Sequence, residues 1–231
     1  MRGFSLRDFV IEQKCVPWKL RLFFQKLLPW KFRRFLVYGK VNLNTPESMD
    51  ERYSSQGDDF VSMDNLYEYV LGFVPSEGRL LDAGCGIAVL LRMIRDRKPG
   101  LELFGVDFSR VAVERTRGYG FSAERVILPE LPYPEDYFDC VVCTEVLEHL
   151  DKPAETVVSF RRVLKKGGLV IASVPDGMGP DDCDEHVQDF SKDEFGKLFS
   201  DNGFRVRSLE VVEKEPARKP GSAFVIVCEK V

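Results

Sequence analysis

The chain of 231 residues is short of several residue types, and each shortage narrows its chemistry. It has only two histidines, so a base or metal site built on imidazole must draw on His149 and His186. No apolar run comes near the roughly 20 residues that a membrane-crossing helix needs. The first thirty residues alternate basic with apolar side chains and hold no continuous hydrophobic core, which argues against a secretory signal. Among six cysteines there is a single CxxC, Cys140–Cys143, inside the apolar stretch FDCVVCTEV. Side chains three apart on a strand point to opposite faces, so this pair cannot grip one metal. Reduced, mostly buried thiols of a cytoplasmic protein are the expectation. Internal repeats and low-complexity tracts are missing too. A composition of 44% hydrophobic and 30% charged residues excludes collagen, wholesale disorder and a disulfide-stapled mini-protein.

What charge there is lies unevenly. Residues 1–40 hold ten Lys or Arg against two acids, a net +8, while the whole chain is at −4 and the remainder therefore at −12. Both tryptophans sit in that basic head. From Trp18 to Leu36 the spacing predicts an amphipathic helix, with Leu20, Phe23, Phe24, Leu27 and Leu28 on one face and a kink or end at Pro29. Three readings of the head stand: a helix lying on an anionic membrane surface, a nucleic-acid contact, or a lid or dimer arm packed on the domain. The continuity of the apolar face counts against nucleic acid. The expected division is an extension over residues 1–45 and one domain over 46–231.

From Gly78 onward, short apolar runs alternate with helical stretches. RLLDAG, LELFGVD, ERVIL, YFDCVVC and GLVIASVP read as strands. Between them lie IAVLLRMIRDR, a helix capped by Ser109, and a helix with Pro153 in its first turn that closes at Lys165-Lys166-Gly167-Gly168. Upstream, Phe60 to Phe73 reads as one helix. Ser191 and Glu194 form a capping box for a helix ending at Asn202-Gly203, and FRVRSLEVVEK and SAFVIVCEK make a final hairpin. The pattern predicts an α/β fold: a doubly wound, Rossmann-like sheet of seven strands, mostly parallel with an antiparallel C-terminal strand.

Asp82-Ala83-Gly84-Cys85-Gly86 joins the first strand to the first helix of this pattern. Glycines there let the backbone turn tightly and approach a ligand. A dinucleotide site would want Gly or Ala where Val89 stands. The second strand ends in Asp107, at the right reach for a carboxylate that binds ribose hydroxyls. LLDAGCGIAVLL, FGVDFS, LPYPEDYFDCVVCTEVLEHL and RRVLKKGGLVIASVPD, in this order, resemble the class I S-adenosylmethionine-dependent methyltransferases, notably ubiquinone- and catechol-type O-methyltransferases. The likeness runs from about Tyr53 to Val231. It implies S-adenosylmethionine as cofactor, with Asp82, Ala83, Gly84, Cys85 and Gly86 around its methionine part. Asp107 would hold the ribose, Phe108 pack on the adenine, and Thr144 and Glu145 line the pocket near the sulfonium. The chain departs from the family pattern at Ile87 and Ala88, where the family has Thr or Ser and Gly. It departs again at Ile127, where an acid commonly meets the adenine amine.

A hydroxyl acceptor benefits from a base, and His149 and His186 are the candidates for catalysis. If Glu145, Glu148 and His149 lie on a helix they share one face, and they would hold a divalent metal ion, with His186 as a fourth ligand. Such a set looks like the metal site of ubiquinone-type and small-RNA 3′-end methyltransferases. The competing reading makes LEH a packing and capping element. The expectation is methyl transfer to an oxygen of a small-molecule, lipid-like or glycan acceptor, by a cytoplasmic protein that meets a membrane through residues 1–40. The alternatives are metal-dependent RNA 2′-O-methylation and a non-catalytic scaffold that keeps the fold.

Overall fold

A computed structural model describes residue 31 and residues 44–55, 64–177, 185–214 and 221–231. The basic extension therefore lies almost wholly outside the described residues, and so does the amphipathic pattern over residues 18–36.

Short helices α1 (Pro46–Ser55) and α2 (Asp64–Leu71) precede β1 (Glu77–Ala83), α3 (Val89–Arg97), β2 (Gly100–Asp107), α4 (Arg110–Gly118) and β3 (Ser122–Arg125). Then come β4 (Phe138–Thr144), a 3-10 turn (Leu147–His149), α5 (Pro153–Val163), β5 (Leu164–Pro175), α6 (Lys192–Ser200), β6 (Phe204–Lys214) and β7 (Gly221–Lys230). The seven strands form one sheet in the order β3-β2-β1-β4-β5-β7-β6. All neighbours pair in parallel except β7, which runs antiparallel to both β5 and β6. This is the predicted doubly wound sheet.

Two apolar layers cover the two faces. Strand β4 shows the division: Cys140 and Val142 join one core with Leu66, Leu91 and Ile94, while Val141 and Cys143 join the other with Phe160, Phe195 and Phe199. The CxxC cysteines thus point to opposite faces, as strand geometry requires. Both are buried free thiols.

Caps written in the sequence are made. Ser109 accepts from the Ala112 amide, and Ser191 and Glu194 complete a reciprocal capping box. Several boundaries differ. The third strand is Ser122–Arg125 instead of ERVIL: its pairing with β2 ends at the Asp107–Arg125 pair, where the Val126 amide makes the last bond, to the Asp107 carbonyl. The Lys165–Gly168 stretch does not close a helix. It belongs to β5, which starts at Leu164, and the Lys165 ammonium lies 2.8 Å from Asp139. Helix α6 stops at Ser200, three residues before Gly203.

The connection from β1 goes to β2 on one side, and the chain later returns to place β4 on the other. Such a reversal opens a crevice at the carboxyl ends of β1 and β4, where doubly wound sheets bind ligands.

Candidate active site

Two glycine-loop amides tie that crevice to the sheet. Gly84 and Cys85 both donate to the Val106 carbonyl, at 2.8 and 3.0 Å. Gly84 has φ +89°, and a Cβ there would stand 2.4 Å from the Val146 methyl, so glycine is required on two counts. Ala88 takes the same left-handed region at φ 63°, which costs about 1–2 kcal/mol relative to glycine. Its methyl is fully buried against the α3-side core and off the cavity wall, so it does not obstruct a ligand.

Asp107, at the end of β2, is 5% exposed. Its carboxylate accepts from the Gly86 amide at 3.0 Å and the Ser109 amide at 2.9 Å. Burial pushes its carboxyl up to about 6 in spite of those donors. Asp82, also buried, is pushed up to about 7 by burial and then by the Asp107 charge. Two acids thus sit at the base of one crevice, with their amide donors on the Asp107 side.

Thr144 and Glu145 close the carboxyl end of β4. The expected helix face of Glu145, Glu148 and His149 does not form. Glu145 sits before the 3-10 turn with φ +56°, its amide on the Ser173 carbonyl. Its carboxylate meets the Ser173 hydroxyl and the Lys214 ammonium, a pair 12% and 13% exposed. Glu145 is committed to that pair, and the two β4-end acids diverge. The grouping that does form is Glu148, His149 and His186, whose ligand atoms lie within 4.8 Å of one another. His149 Nδ1 is 2.9 Å from the Glu185 carbonyl, an atom that only accepts, so Nδ1 carries the proton. Nε2 then faces Glu148 Oε1 at 3.7 Å. Burial lowers the His149 pKa, which favours the neutral ring. The two rings are edge to face, 4.9 Å between centroids.

These groups open on one cavity of about 710 Å³. Gly84, Gly86, Asp82, Asp107 and Phe108 line it, and so do Glu148, His149 and His186. Val126, Ile127, Leu128 and Pro129 form an apolar wall beside Phe108, and Ile127 is 64% exposed. Of the predicted cofactor residues, Asp82, Gly84, Cys85, Gly86, Asp107, Phe108, Thr144 and Glu145 line the cavity. Ala83 does not; it lies in the core. Cys85 turns its sulfur toward Thr116 and is held by its amide.

The remaining wall comes largely from residues that no motif singled out, several of them within the stretch 40–60. Tyr67 of α2 lines it, its phenol raised by burial. Tyr53 of α1 puts its hydroxyl 3.2 Å from where a Gly86 Cβ would stand. Arg52 lines the wall as well. No local motif marks these residues.

Residues 55–209 match the methyltransferase-domain family. The chain belongs to this family. The class I S-adenosylmethionine-dependent fold predicted above is the fold found. The chain is 36% identical over 102 residues to a ubiquinone biosynthesis O-methyltransferase of Alkalilimnicola ehrlichii, a match covering 41% of this chain and 40% of that enzyme. The chain thus spans about two fifths of the length of the curated relatives it matches. In fold it is similar to a Haloferax volcanii methyltransferase solved with the Trm112 activator, with a TM-score of 0.66 at 21% identity over 79% of this chain and 94% of that one. It is also similar to the [4+2]-cyclase SpnF, with a TM-score of 0.65 at 17% identity over 80% and 92%. A shared fold therefore does not by itself settle the reaction. Among the described residues, no helix is long and apolar enough to cross a membrane.

Proposed function

We propose that the chain binds S-adenosylmethionine at the glycine-loop end of the cavity and transfers its methyl group to an oxygen of a small, lipid-like or glycan acceptor held at the His149 end. The observation that carries this reading is the pairing, in one cavity, of a carboxylate held by the Gly86 and Ser109 amides with the His149 imidazole. The residues fit the cofactor. Gly84 and Gly86 admit close approach, Asp107 accepts two hydroxyl protons, and Ile127 with Phe108 offers an apolar slot for a flat ring. Bound there, the cofactor supplies an electrophilic methyl on a good leaving group.

The chain's own share is alignment, exclusion of water and proton removal. His149 Nε2 would take the proton that the acceptor hydroxyl gives up on methylation. His186 holds the ring and the acceptor. A divalent cation is a second reading, favoured by the close set of Glu148, His149 and His186, which would be its ligands. Such an ion would acidify a bound hydroxyl. The basic sequence of residues 1–45 brings the domain over residues 46–231 to an anionic membrane surface, where a lipid-like acceptor is met.

Calorimetric titration with S-adenosylhomocysteine tests the cofactor end. Binding by the native chain, lost in Gly84→Arg and Asp107→Ala, is the expected result; no binding by the native chain sinks the proposal and leaves a scaffold. Loss of methyl transfer in chelator separates the cation from the unaided base.

A further inference from the structure

The helix that covers the cavity, α1, is held differently from the rest of the fold. Met49 is its one buried side chain, and polar contacts from Asp50, Arg52 and Tyr53 hold it on two sides. On the cofactor side, Asp50 accepts from the Ser109 hydroxyl and from the Val111 amide at 3.1 Å, and Arg115 donates to the Tyr53 carbonyl at 2.8 Å. On the acceptor side, Arg52 pairs with the Glu185 carboxylate at 2.5 Å, across 133 residues of sequence. Asn44, just ahead of the helix, donates its amide to the Glu185 carbonyl.

Glu185 is therefore a junction. Its carboxylate is gripped by α1, and its carbonyl accepts from both Asn44 and the His149 ring. A carbonyl oxygen has two lone pairs, and here both are taken. The ring's partner is in turn joined to the next residues, because the Val187 and Gln188 amides both donate to the Glu148 carbonyl. A histidine's second nitrogen decides which tautomer and orientation the first presents.

We infer that Arg52 is a positioning residue: by holding Glu185 it fixes the His149 ring with Nδ1 protonated and Nε2 turned to the cavity, so that closure of α1 over the cofactor readies the base. The inference rests on the proposed roles of the cofactor end and of His149. Asp50 and Arg115 fasten the helix beside Asp107 and the glycine loop, and Arg52 and Asn44 fasten it to the segment that carries His186. One rigid helix of ten residues thus joins the two ends of the cavity. The Arg52–Glu185 pair is 45% and 40% exposed, so it opens at small cost, as a latch on an entry path must. Ordering at the cofactor end is carried through α1 to the acceptor end.

The chain's two histidines make the test direct. Nitrogen-15 spectra of the imidazoles report the tautomer of each ring, and His186→Gln assigns them. Amide hydrogen exchange at Val187 and Gln188 reports the junction. In the native chain, His149 is expected as a single tautomer protonated at Nδ1, and S-adenosylhomocysteine should slow exchange at both amides. In Arg52→Ala the ring should become a mixture of tautomers, the two amides should exchange about tenfold faster, and added ligand should no longer slow them. Arg52→Lys should restore part of each effect.

An Arg52→Ala chain with the native tautomer and ligand-dependent protection overturns the inference. A native chain that binds no S-adenosylhomocysteine overturns the proposed function instead, and the tautomer comparison then still stands on the unliganded chain. Because Arg52 is largely exposed, an unchanged melting temperature is expected and separates this effect from loss of fold.

Discussion

The cavity has a floor and a lid, and they are built on opposite principles. The floor is Gly84, Gly86, Asp82, Asp107 and Thr144, set at strand ends, with the Gly84 and Gly86 amides hydrogen-bonded to Val106 and Asp107 of β2. Its two acids are 2% and 5% exposed. The lid is α1, a polar helix fastened by side chains that remain in contact with solvent. The floor cannot shift without disturbing parallel ladders, whereas the lid can open by breaking exposed pairs. A site that admits a bulky cofactor and then excludes water needs one wall of each kind.

Attacking the floor should have the largest effect. Gly84→Arg drives a side chain into Val146 at a left-handed backbone position and should weaken S-adenosylhomocysteine binding about a hundredfold or more, read by calorimetry. Next comes the buried pair behind it. Lys214→Met leaves the Glu145 carboxylate without its ammonium and should cost about 2 kcal/mol, less than the full cost of an orphaned buried charge because both side chains keep some solvent. A fall in Tm of about 5 °C checks it.

The acids of the floor also fix a pH dependence. Asp107 and Asp82 titrate near 6 and 7 in the fold but near 3.8 when unfolded, so the native state binds more protons between these values. Their contribution to the stability of the unliganded chain therefore falls as pH rises from about 4 to about 7. Ligand affinity should move the other way, rising through pH 6 as Asp107 ionises to accept ribose hydroxyls. The slope should flatten in Asp107→Asn, measured by calorimetry from pH 5 to pH 8.

Breaking the lid should do less. Asp50→Ala removes the bonds to Ser109 and Val111, and S-adenosylhomocysteine should bind about threefold to tenfold more weakly while Tm stays within a degree or two. The smallest effect should be a gain. Ala88→Gly relieves a left-handed alanine and should raise stability by about 1 kcal/mol, with ligand affinity unchanged because the methyl does not line the cavity. If it instead strengthens binding, the alanine had been restraining the floor.

The floor was legible residue by residue in advance, whereas the lid's individual contacts were not. Asp82 to Gly86, Asp107 and Thr144 stand at strand ends, and alternation, capping and glycine placement reveal strand ends within a few residues of sequence. The error at Glu145 has the same origin. A three- and four-residue spacing implies a shared face only on a helix, and the chain there turns through a left-handed residue into a single 3-10 turn. The third strand ends at Arg125 because its partner β2 ends at Asp107, so ERVIL has no ladder to continue along.

Short-range physics written into the sequence determined the element order, the two-faced strands, the caps at Ser109 and Ser191 and the glycine loop. Only the tertiary structure decided that His149 joins Glu148 and His186 while Glu145 turns away to Lys214. It also decided that Arg52 and Asn44 meet Glu185 across 133 and 141 residues. The reason is physical. Hydrogen bonds within a turn are set by neighbours on the chain, whereas contacts over such separations exist only once the sheet has brought its strand ends together.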